Sequence, residues 1–365
     1  MNWLRSTLSV SHQITAVLLS SLLFGCATCL AESTPPSAGP SRHDLAKLLG
    51  GTDAHLRAYA VYNIAYRFSE DAKDLVPYIS DTNPWVRRAA VFCLGLLRSE
   101  PQTDRFIQAL KDQRHGVRRA AVFALGNVST PKALKGVSQA LEDKDSLVRQ
   151  LAIFAIARAA DKTYVPKLIP LLNDHSPRVR RAAASALGML GDPSALGALR
   201  RLYRDRRASQ PAEPLAIANK KVEETLKKKV NLDCKFLHFQ EILDKLSRTS
   251  GVEIRVDDEV LFMLNTSATD PENLNTLRLS MWSIPFETAL KKIVDTVGAH
   301  YYVESGTINI SSKNYTAYDT PVRLEVAAAM ALLGDKSALR EVRKYLSDRR
   351  FGKRAQQLLR AAKAR

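Results

Sequence analysis

The stretch DTNPWVRRAAVFCLG, at residues 81–95, returns three more times along the chain, each time 31 positions further on. The later copies are DQRHGVRRAAVFALG at 112–126, DKDSLVRQLAIFAIA at 143–157 and DHSPRVRRAAASALG at 174–188. A fixed period without gaps is typical of a solenoid, in which each unit covers the exposed core face of its neighbour. The sequence therefore predicts a stack of repeated units.

Each unit is predicted to fold as two helices. A polar cap followed by proline, as in Asn83-Pro84, is a helix-start signal. At 100° per residue the next apolar positions form one stripe, which in the first unit consists of Val86, Ala89, Ala90, Cys93 and Leu94. Second helices, such as those predicted at 104–111 and 164–172, run antiparallel to the first and return the chain to the start of the next repeat. We interpret the shared Gly95, Gly126 and Gly188 as helix ends, where a positive φ costs little.

The two arginines of each repeat have different predicted roles. The first arginines, Arg87, Arg118, Arg149 and Arg180, recur with the aspartates that begin the repeats, Asp81, Asp112, Asp143 and Asp174. We interpret these two columns as a ladder of ion pairs between adjacent repeats. The second arginines, Arg88, Arg119 and Arg181, point away from the core and are expected to be solvated. They form either a solubilising face or a surface for an anionic partner, and they are the candidate partner-binding residues.

Three phenylalanines and one cysteine occupy fixed positions of the repeats, and a second cysteine lies outside them. Phe92, Phe123 and Phe154 form a column that is predicted to pack between repeats rather than to stack on a ligand. Cys93 stands where later units have alanine, and Cys234 alternates with apolar residues on a strand, so both are expected to be buried thiols.

The pattern D-x-x-P-x-V-R-x-x-A-x-x-A-L-G resembles HEAT repeats, specifically the short HEAT-like repeats named after phycobilisome lyases. Four units match, and a divergent fifth at 56–65 is predicted to form the N-terminal cap. The resemblance implies a right-handed stack of helix pairs that serves mainly as a binding scaffold. It also brings an alternative function, a bilin lyase or ligand-binding enzyme, for which the sequence shows no chromophore pocket.

A different kind of sequence follows the break in period after Asp205. Alternating apolar residues predict strands at 230–236, 252–256 and 274–282, and a hairpin of 300–304 with 307–311. Amphipathic helices are predicted at 240–250 and 285–297, and Asp257-Asp258-Glu259 is interpreted as a solvated loop. Over 230–312 this order resembles the short N-terminal domain shared by secretins and TonB-dependent receptors, the STN domain. That resemblance implies a periplasmic docking module without catalytic residues.

The helical repeats are predicted to resume after this domain, in the register that sets Val322 against Val179. The predicted fold is therefore mainly α, a HEAT-like α-solenoid with an inserted small α+β, STN-like domain. Its parts are the solenoid at 44–229, the inserted domain at 230–313, and a C-terminal repeat with a basic cap at 314–365.

The first residues have the features of an export signal. A single positive charge at Arg5 precedes a short apolar run at 14–24, which is too short for a stable membrane anchor. Residues 1–31 are therefore predicted to be a secretory signal peptide, and 32–43 a flexible linker. Cleavage after Ala31 would release the chain into the periplasm. Alternatively, Leu23-Phe24-Gly25-Cys26 resembles a lipoprotein box, and acylated Cys26 would anchor the chain as an outer-membrane lipoprotein.

Composition and motifs favour binding over catalysis. The chain carries 54 Lys and Arg against 37 Asp and Glu, a net charge of +17. In an exported protein this charge favours anionic lipid headgroups, acidic glycans or an acidic protein partner over nucleic acid, which is the second alternative. The sequence has no His-Glu pair or phosphate loop, and Cys26 and Cys29 fall in the predicted signal peptide, so we expect no catalytic residues, cofactor or metal. The predicted function is an exported, non-enzymatic adaptor in an envelope complex, near a secretin or another outer-membrane assembly.

Overall fold

The computed structural model describes residues 40–205, 213–267, 276–304, 306–312, 322–348 and 351–363. The predicted signal peptide with Cys26, and the linker up to residue 39, lie outside these residues. The chain forms two compact units. The first comprises the described parts of Met1–Val128 and Asp258–Thr276, and the second those of Ser129–Asp257 and Leu277–Arg365. In the described part of the chain, no helix combines the length and the apolar character needed to cross a membrane.

The first unit consists of helices from the first repeats and one helix from the insertion. They are α1 (Arg42–Leu49), α2 (Ala54–Arg67), α3 (Pro84–Leu96), α4 (Thr103–Ala109), α5 (His115–Val128) and α13 (Asp258–Ser267), with 3-10 helices at Ser69–Ser80 and Glu100–Gln102. Helix α3 packs against both α2 and α5. Ser41 caps α1 through its hydroxyl, so the last two residues of the predicted linker, 42 and 43, are already helical.

The second unit contains the later repeats and most of the insertion. Its repeat helices are α6 (Pro131–Gln139), α7 (Ser146–Ala159), α8 (Val165–Leu168), α9 (Pro177–Leu190), α10 (Leu196–Arg204), α15 (Val322–Leu332), α16 (Ala338–Arg343) and α17 (Gly352–Lys363). Short 3-10 segments lie at Ala140–Glu142, Lys162–Tyr164, Ile169–Asn173 and Pro193–Ala195. Helix α9 packs against α7 on one side and α15 on the other. The helix after the insertion thus contacts the repeat before it, as the predicted resumption requires.

The recurring aspartate shapes the turn before each first helix. Asp81 Oδ1 accepts a hydrogen bond from the backbone N–H of Asn83 at 2.7 Å, and the equivalent bond of Asp174, from Ser176, is 2.8 Å long. Such a side-chain turn holds the chain in the geometry that starts a helix. In α3 the next polar residue then caps the helix, because Asn83 Oδ1 accepts from the N–H of Trp85 at 2.8 Å.

The predicted ladder of arginines and aspartates is confirmed within each unit. Arg87 donates Nε and Nη2 to Asp112 of the next repeat at 2.8 and 3.2 Å, and Arg149 does the same to Asp174 at 2.7 Å for both bonds. The third nitrogen, Nη1, donates to two carbonyl oxygens in the turn of the arginine's own repeat. Arg57 makes the same contacts with Asp81, so the ladder includes the divergent first unit.

The interpretation of the repeated glycines as helix ends is wrong. Gly95 lies inside α3, Gly126 inside α5 and Gly188 inside α9, and none of the three has a positive φ. A Cβ on Gly95 would lie 2.6 Å from the Cα and Cβ of Ala124, and one on Gly188 would lie 2.8 Å from the Cα of Ala329. Glycine is needed there because the next helix approaches its backbone directly.

The insertion contains the strands β1 (Lys229–His238), β2 (Ile254–Val256), β3 (Thr276–Pro285), β4 (His300–Glu304) and β5 (Thr307–Ser311). Its helices in the second unit are α12 (Phe239–Ser250) and α14 (Phe286–Asp295), and α11 (Glu213–Leu226) precedes the insertion. Strands β1 and β3 pair, and a second sheet has the order β2-β5-β4. In it β2 runs parallel to β5, with Ile254 opposite Ile308, while β4 runs antiparallel to β5.

The predicted hairpin is confirmed at its predicted bounds, although Ser305 at its tip lies outside the described residues. The solvated loop predicted at Asp257-Asp258-Glu259 is wrong, because α13 begins at Asp258. Helix α13, which the sequence pattern did not predict, packs against α2 and α3 of the first unit.

Candidate partner-binding groove

Two of the three predicted partner-binding arginines are buried. Arg88 is 5% exposed and Arg119 is 3% exposed, so the prediction that they are solvated is wrong. The reason is that α13 lies across the face of the repeats that carries them. Arg181, in the second unit, is half-buried. The candidate lipidation residue, Cys26, is not among the residues that the structure describes.

The carboxylate at the start of α13 binds both buried arginines. Arg88 Nε donates to Asp258 Oδ1, and Arg119 Nη2 lies 3.9 Å from Asp258 Oδ2. The Asp258 side chain is only 13% exposed. Two cations therefore share one carboxylate in a largely dry environment, where an uncompensated charge costs several kcal/mol. Gly116, at the start of α5, leaves room for this arrangement, because a Cβ there would lie 3.2 Å from Arg88 Cδ.

An aromatic side chain one turn further along α13 enters a pocket of rings. Phe262 is buried, and its ring lies 5.8 Å from that of Tyr62, 6.1 Å from that of Tyr66 and 6.0 Å from that of Phe92. The two tyrosine rings meet Phe262 edge to face, at 81° and 82°. These are favourable geometries for aromatic pairs.

The predicted phenylalanine column exists in the first unit, where the rings of Phe92 and Phe123 stack with centroids 4.8 Å apart. It packs between repeats as predicted, and Phe92 additionally forms one wall of the pocket for Phe262. Phe154, in the second unit, keeps 42% of its surface exposed, so burial is not a property of the whole column.

The far end of α13 is held through its backbone. Asn63, which is fully buried in α2, donates Nδ2 to the carbonyl oxygen of Asn265 at 2.9 Å and to that of Tyr59 at 3.1 Å. The Asn265 carbonyl lies in the last turn of α13, where helix carbonyls lack partners within the helix. The first unit thus binds three groups of α13: the carboxylate of Asp258, the ring of Phe262 and the backbone carbonyl of Asn265.

We call this set the α13 groove, defined by Asn63, Tyr62, Tyr66, Phe92, Arg88 and Arg119. Asp258 and Phe262 are four positions apart, so they project from the same face of the helix. The signal for this face is present in the sequence, since an acidic residue precedes the apolar Val260, Leu261 and Phe262. All three of these apolar side chains are buried.

The Tyr62 hydroxyl and the Cys93 thiol, both below α13, are held in their neutral forms. Burial raises the pKa of the Tyr62 hydroxyl well above its ordinary value, and Asp258 adds to the rise while Arg88 opposes it. Burial, and then the Asp258 carboxylate, raise the pKa of the Cys93 thiol in the same way. Cys93 is accordingly a poor nucleophile. Among the described residues, no group of three or more His, Cys, Asp and Glu side chains is arranged to hold a metal ion.

The insertion also contacts the repeats inside the second unit. Arg255, on β2, donates Nη1 to Asp145, which itself caps α7 through bonds to Leu147 N–H and Val148 N–H. Arg178 lies over the ring of Tyr302 on β4, with its guanidinium carbon 4.2 Å from the ring centroid, a cation–π contact. Repeat residues thus contact inserted residues in both units.

Comparison with known proteins identifies the repeats. The family model described as HEAT repeats matches residues 43–126, 72–145 and 134–213. The chain therefore carries HEAT repeats, and the predicted fold class, mainly α with a HEAT solenoid, is confirmed. HEAT repeats generally form protein-binding scaffolds. No curated protein matches the sequence. The likeness of the insertion to the STN domain stays a prediction.

Several solved structures are similar to part of the chain. An engineered protein is 22% identical over 45% of this chain and 90% of its own, with a TM-score of 0.36. The Escherichia coli protein YibA is 25% identical over 46% of this chain and 63% of its own, with a TM-score of 0.39. The CpcE–CpcF complex of phycocyanin lyase from Nostoc sp. PCC7120 is 17% identical over 73% of this chain and 99% of its own, with a TM-score of 0.38.

Proposed function

We propose that this chain, as a carrier of HEAT repeats, is a non-enzymatic scaffold that joins protein partners in the bacterial cell envelope. The observation that carries the proposal is the α13 groove, in which three repeat helices hold a helix by charge, aromatic packing and a backbone hydrogen bond. These are the contacts by which proteins recognise amphipathic helices.

A scaffold role is also consistent with the chemistry of the groove. The Asp258 carboxylate is paired with arginine, and burial keeps Tyr62 and Cys93 protonated. These groups stabilise a bound helix, and we assign them no role in catalysis.

The envelope location rests on the sequence. An apolar run behind a positively charged start supports export through a signal peptide at 1–31, with acylation of Cys26 as the alternative route to the outer membrane. The STN-like order of the insertion supports a docking role next to a secretin or another outer-membrane assembly. The excess of Lys and Arg supports an acidic partner, which includes anionic lipid or glycan.

The test is a pull-down from envelope extracts of a bacterial host that produces the full chain with a C-terminal tag. Its matched control is the same chain without residues 230–312. The full chain should retain envelope proteins that the shortened chain loses, and an identical set from both would contradict docking through the insertion.

Mass spectrometry of the purified chain tests the location. A mature N-terminus at Glu32, or an acylated Cys26, is expected. An intact Met1 on a chain recovered from the cytosol would contradict the envelope assignment.

A further inference from the structure

We propose that α13 occupies the place of a partner's helix, and that a partner displaces it with an amphipathic helix bearing a carboxylate and, four residues later, an aromatic side chain. This inference rests on the proposed scaffold function and specifies the partner that the first unit recognises.

The groove recognises few features of its occupant. Helix α13 contributes one carboxylate to Arg88 and Arg119, one ring to the aromatic pocket and one backbone carbonyl to Asn63. The backbone carbonyl is common to every helix, so the two side chains at i and i+4 carry the specificity. A helix from another protein with the same two side chains can make the same contacts.

The buried arginines explain why an acidic residue is required. Arg88 and Arg119 stand at equivalent positions of two successive repeats, so the solenoid itself fixes the distance between their charges. Two buried guanidinium groups without a carboxylate would repel each other in a medium of low polarity. The groove therefore excludes an apolar or basic helix and selects an acidic one.

Helix α13 leaves part of the groove unused, as judged from the residues that the structure describes. The Asn63 Oδ1 atom is buried and accepts no hydrogen bond there, and the buried Nε and Nη2 of Arg67 find no acceptor. Asn63 contacts the last turn of α13, and Arg67 lies one turn further along the same face of α2. Buried polar groups without partners cost free energy. A partner helix that also carries a hydrogen-bonding side chain beyond its aromatic residue would satisfy them, and would bind more favourably than α13.

The internal helix is also a weak competitor by its length. It has 10 residues, and isolated helices of that size are marginal in water, so α13 depends on the groove for its order. Its advantage is the effective concentration of a tethered segment, on the order of millimolar. A partner helix must overcome that advantage.

The experiment uses the full chain and a fluorescent synthetic peptide with the sequence of residues 257–267, followed by fluorescence anisotropy. The wild-type chain should bind the peptide weakly, because α13 competes. The double variant Asp258→Asn, Phe262→Ala weakens the internal helix and should bind the same peptide about tenfold or more tightly, since the competent state becomes more populated. A peptide with the aspartate and phenylalanine exchanged in position is the matched control and should not bind.

Two further measurements test the same displacement, and the second does not depend on the folding of the double variant. Adding Arg88→Gln and Arg119→Gln to the double variant should abolish peptide binding. In the wild-type chain, excess peptide should accelerate amide hydrogen exchange in 258–267 without changing exchange in α2 and α3. Unchanged exchange in 258–267, or equal binding of both peptides, overturns the proposal.

A concentration-dependent dimer that exchanges α13 between copies also overturns it, because the occupant would then be this chain. If the peptide displaces α13 but the envelope pull-down retains no protein, the proposed scaffold function fails while the specificity of the groove stands.

Discussion

Replacing Gly95 by alanine should destabilise the first unit, although the same substitution usually stabilises a helix. The new Cβ would lie 2.6 Å from the Cα and Cβ of Ala124 and 3.2 Å from its backbone nitrogen. Helices α3 and α5 would have to separate by roughly 1 Å to restore an ordinary carbon–carbon contact. Overpacking of this kind costs about 1–3 kcal/mol, whereas alanine regains about 1 kcal/mol of helix propensity. Because the obstruction is backbone, and Asn127 donates to the Gly95 carbonyl at 3.3 Å, we expect a net loss of about 1–2 kcal/mol.

Urea denaturation followed by circular dichroism measures this loss. The matched control is Gly197→Ala in α10, where the nearest atom to a new Cβ is Arg201 Nη1 at 3.9 Å. The control should gain about 0.5–1 kcal/mol, because only helix propensity changes. Adding Ala124→Gly to Gly95→Ala should not restore the loss, because the Cα and the backbone nitrogen of residue 124 still obstruct the new Cβ. The steric argument is refuted if Gly95→Ala is as stable as the wild type.

Three other predictions concern single side chains. Arg149→Lys should lower the free energy of unfolding by about 1–3 kcal/mol in thermal melts, because lysine cannot donate the two parallel bonds, each 2.7 Å long, to its carboxylate. Burial, and then the bond it donates to Glu341, raise the pKa of Tyr203 to about 12. Its contribution to stability should be complete below pH 10 and decline as the pH rises from 10 towards 12, so Tyr203→Phe should show a smaller decline than the wild type in melts across this range. Cys93 should react with a thiol reagent far more slowly in the native chain than in guanidinium, and equal rates would contradict its burial.

The repeats could be predicted from the sequence because their determinants are local. The aspartate of each turn bonds the backbone two residues later, and the arginine six residues after it reaches the next aspartate at a spacing of 25 positions. A constant period of 31 residues fixes both of these sequence separations, so the ladder of ion pairs could be predicted from the spacing alone.

The glycines and the arginines of the groove show where such reasoning fails. A glycine near a helix end has the same sequence signature whether it permits a positive φ or a close contact, and Gly95 serves the contact. Helical periodicity places Arg88 opposite the core, but it cannot show what covers that side. That side of Arg88 is covered by α13, whose Asp258 accepts a hydrogen bond from Arg88 and lies 170 positions away in the sequence. The acidic run 257–259 gave no hint of its buried partners, since charged residues next to a strand more often lie in loops.

The contact between α9 and α15 has a consequence for how the chain folds. Repeat proteins usually acquire structure by nearest-neighbour growth, with short sequence separation at every interface. Here Gly188 of α9 lies directly against Ala329 of α15, and Arg200 of α10 pairs with Asp335, which lies 135 positions later. The interface between α9 and α15 can form only after the whole insertion has left the ribosome and the two ends of the insertion have come together. The C-terminal repeat therefore folds only after the inserted domain has been synthesised. A chain in which a short linker replaces the insertion should therefore complete its final repeat sooner.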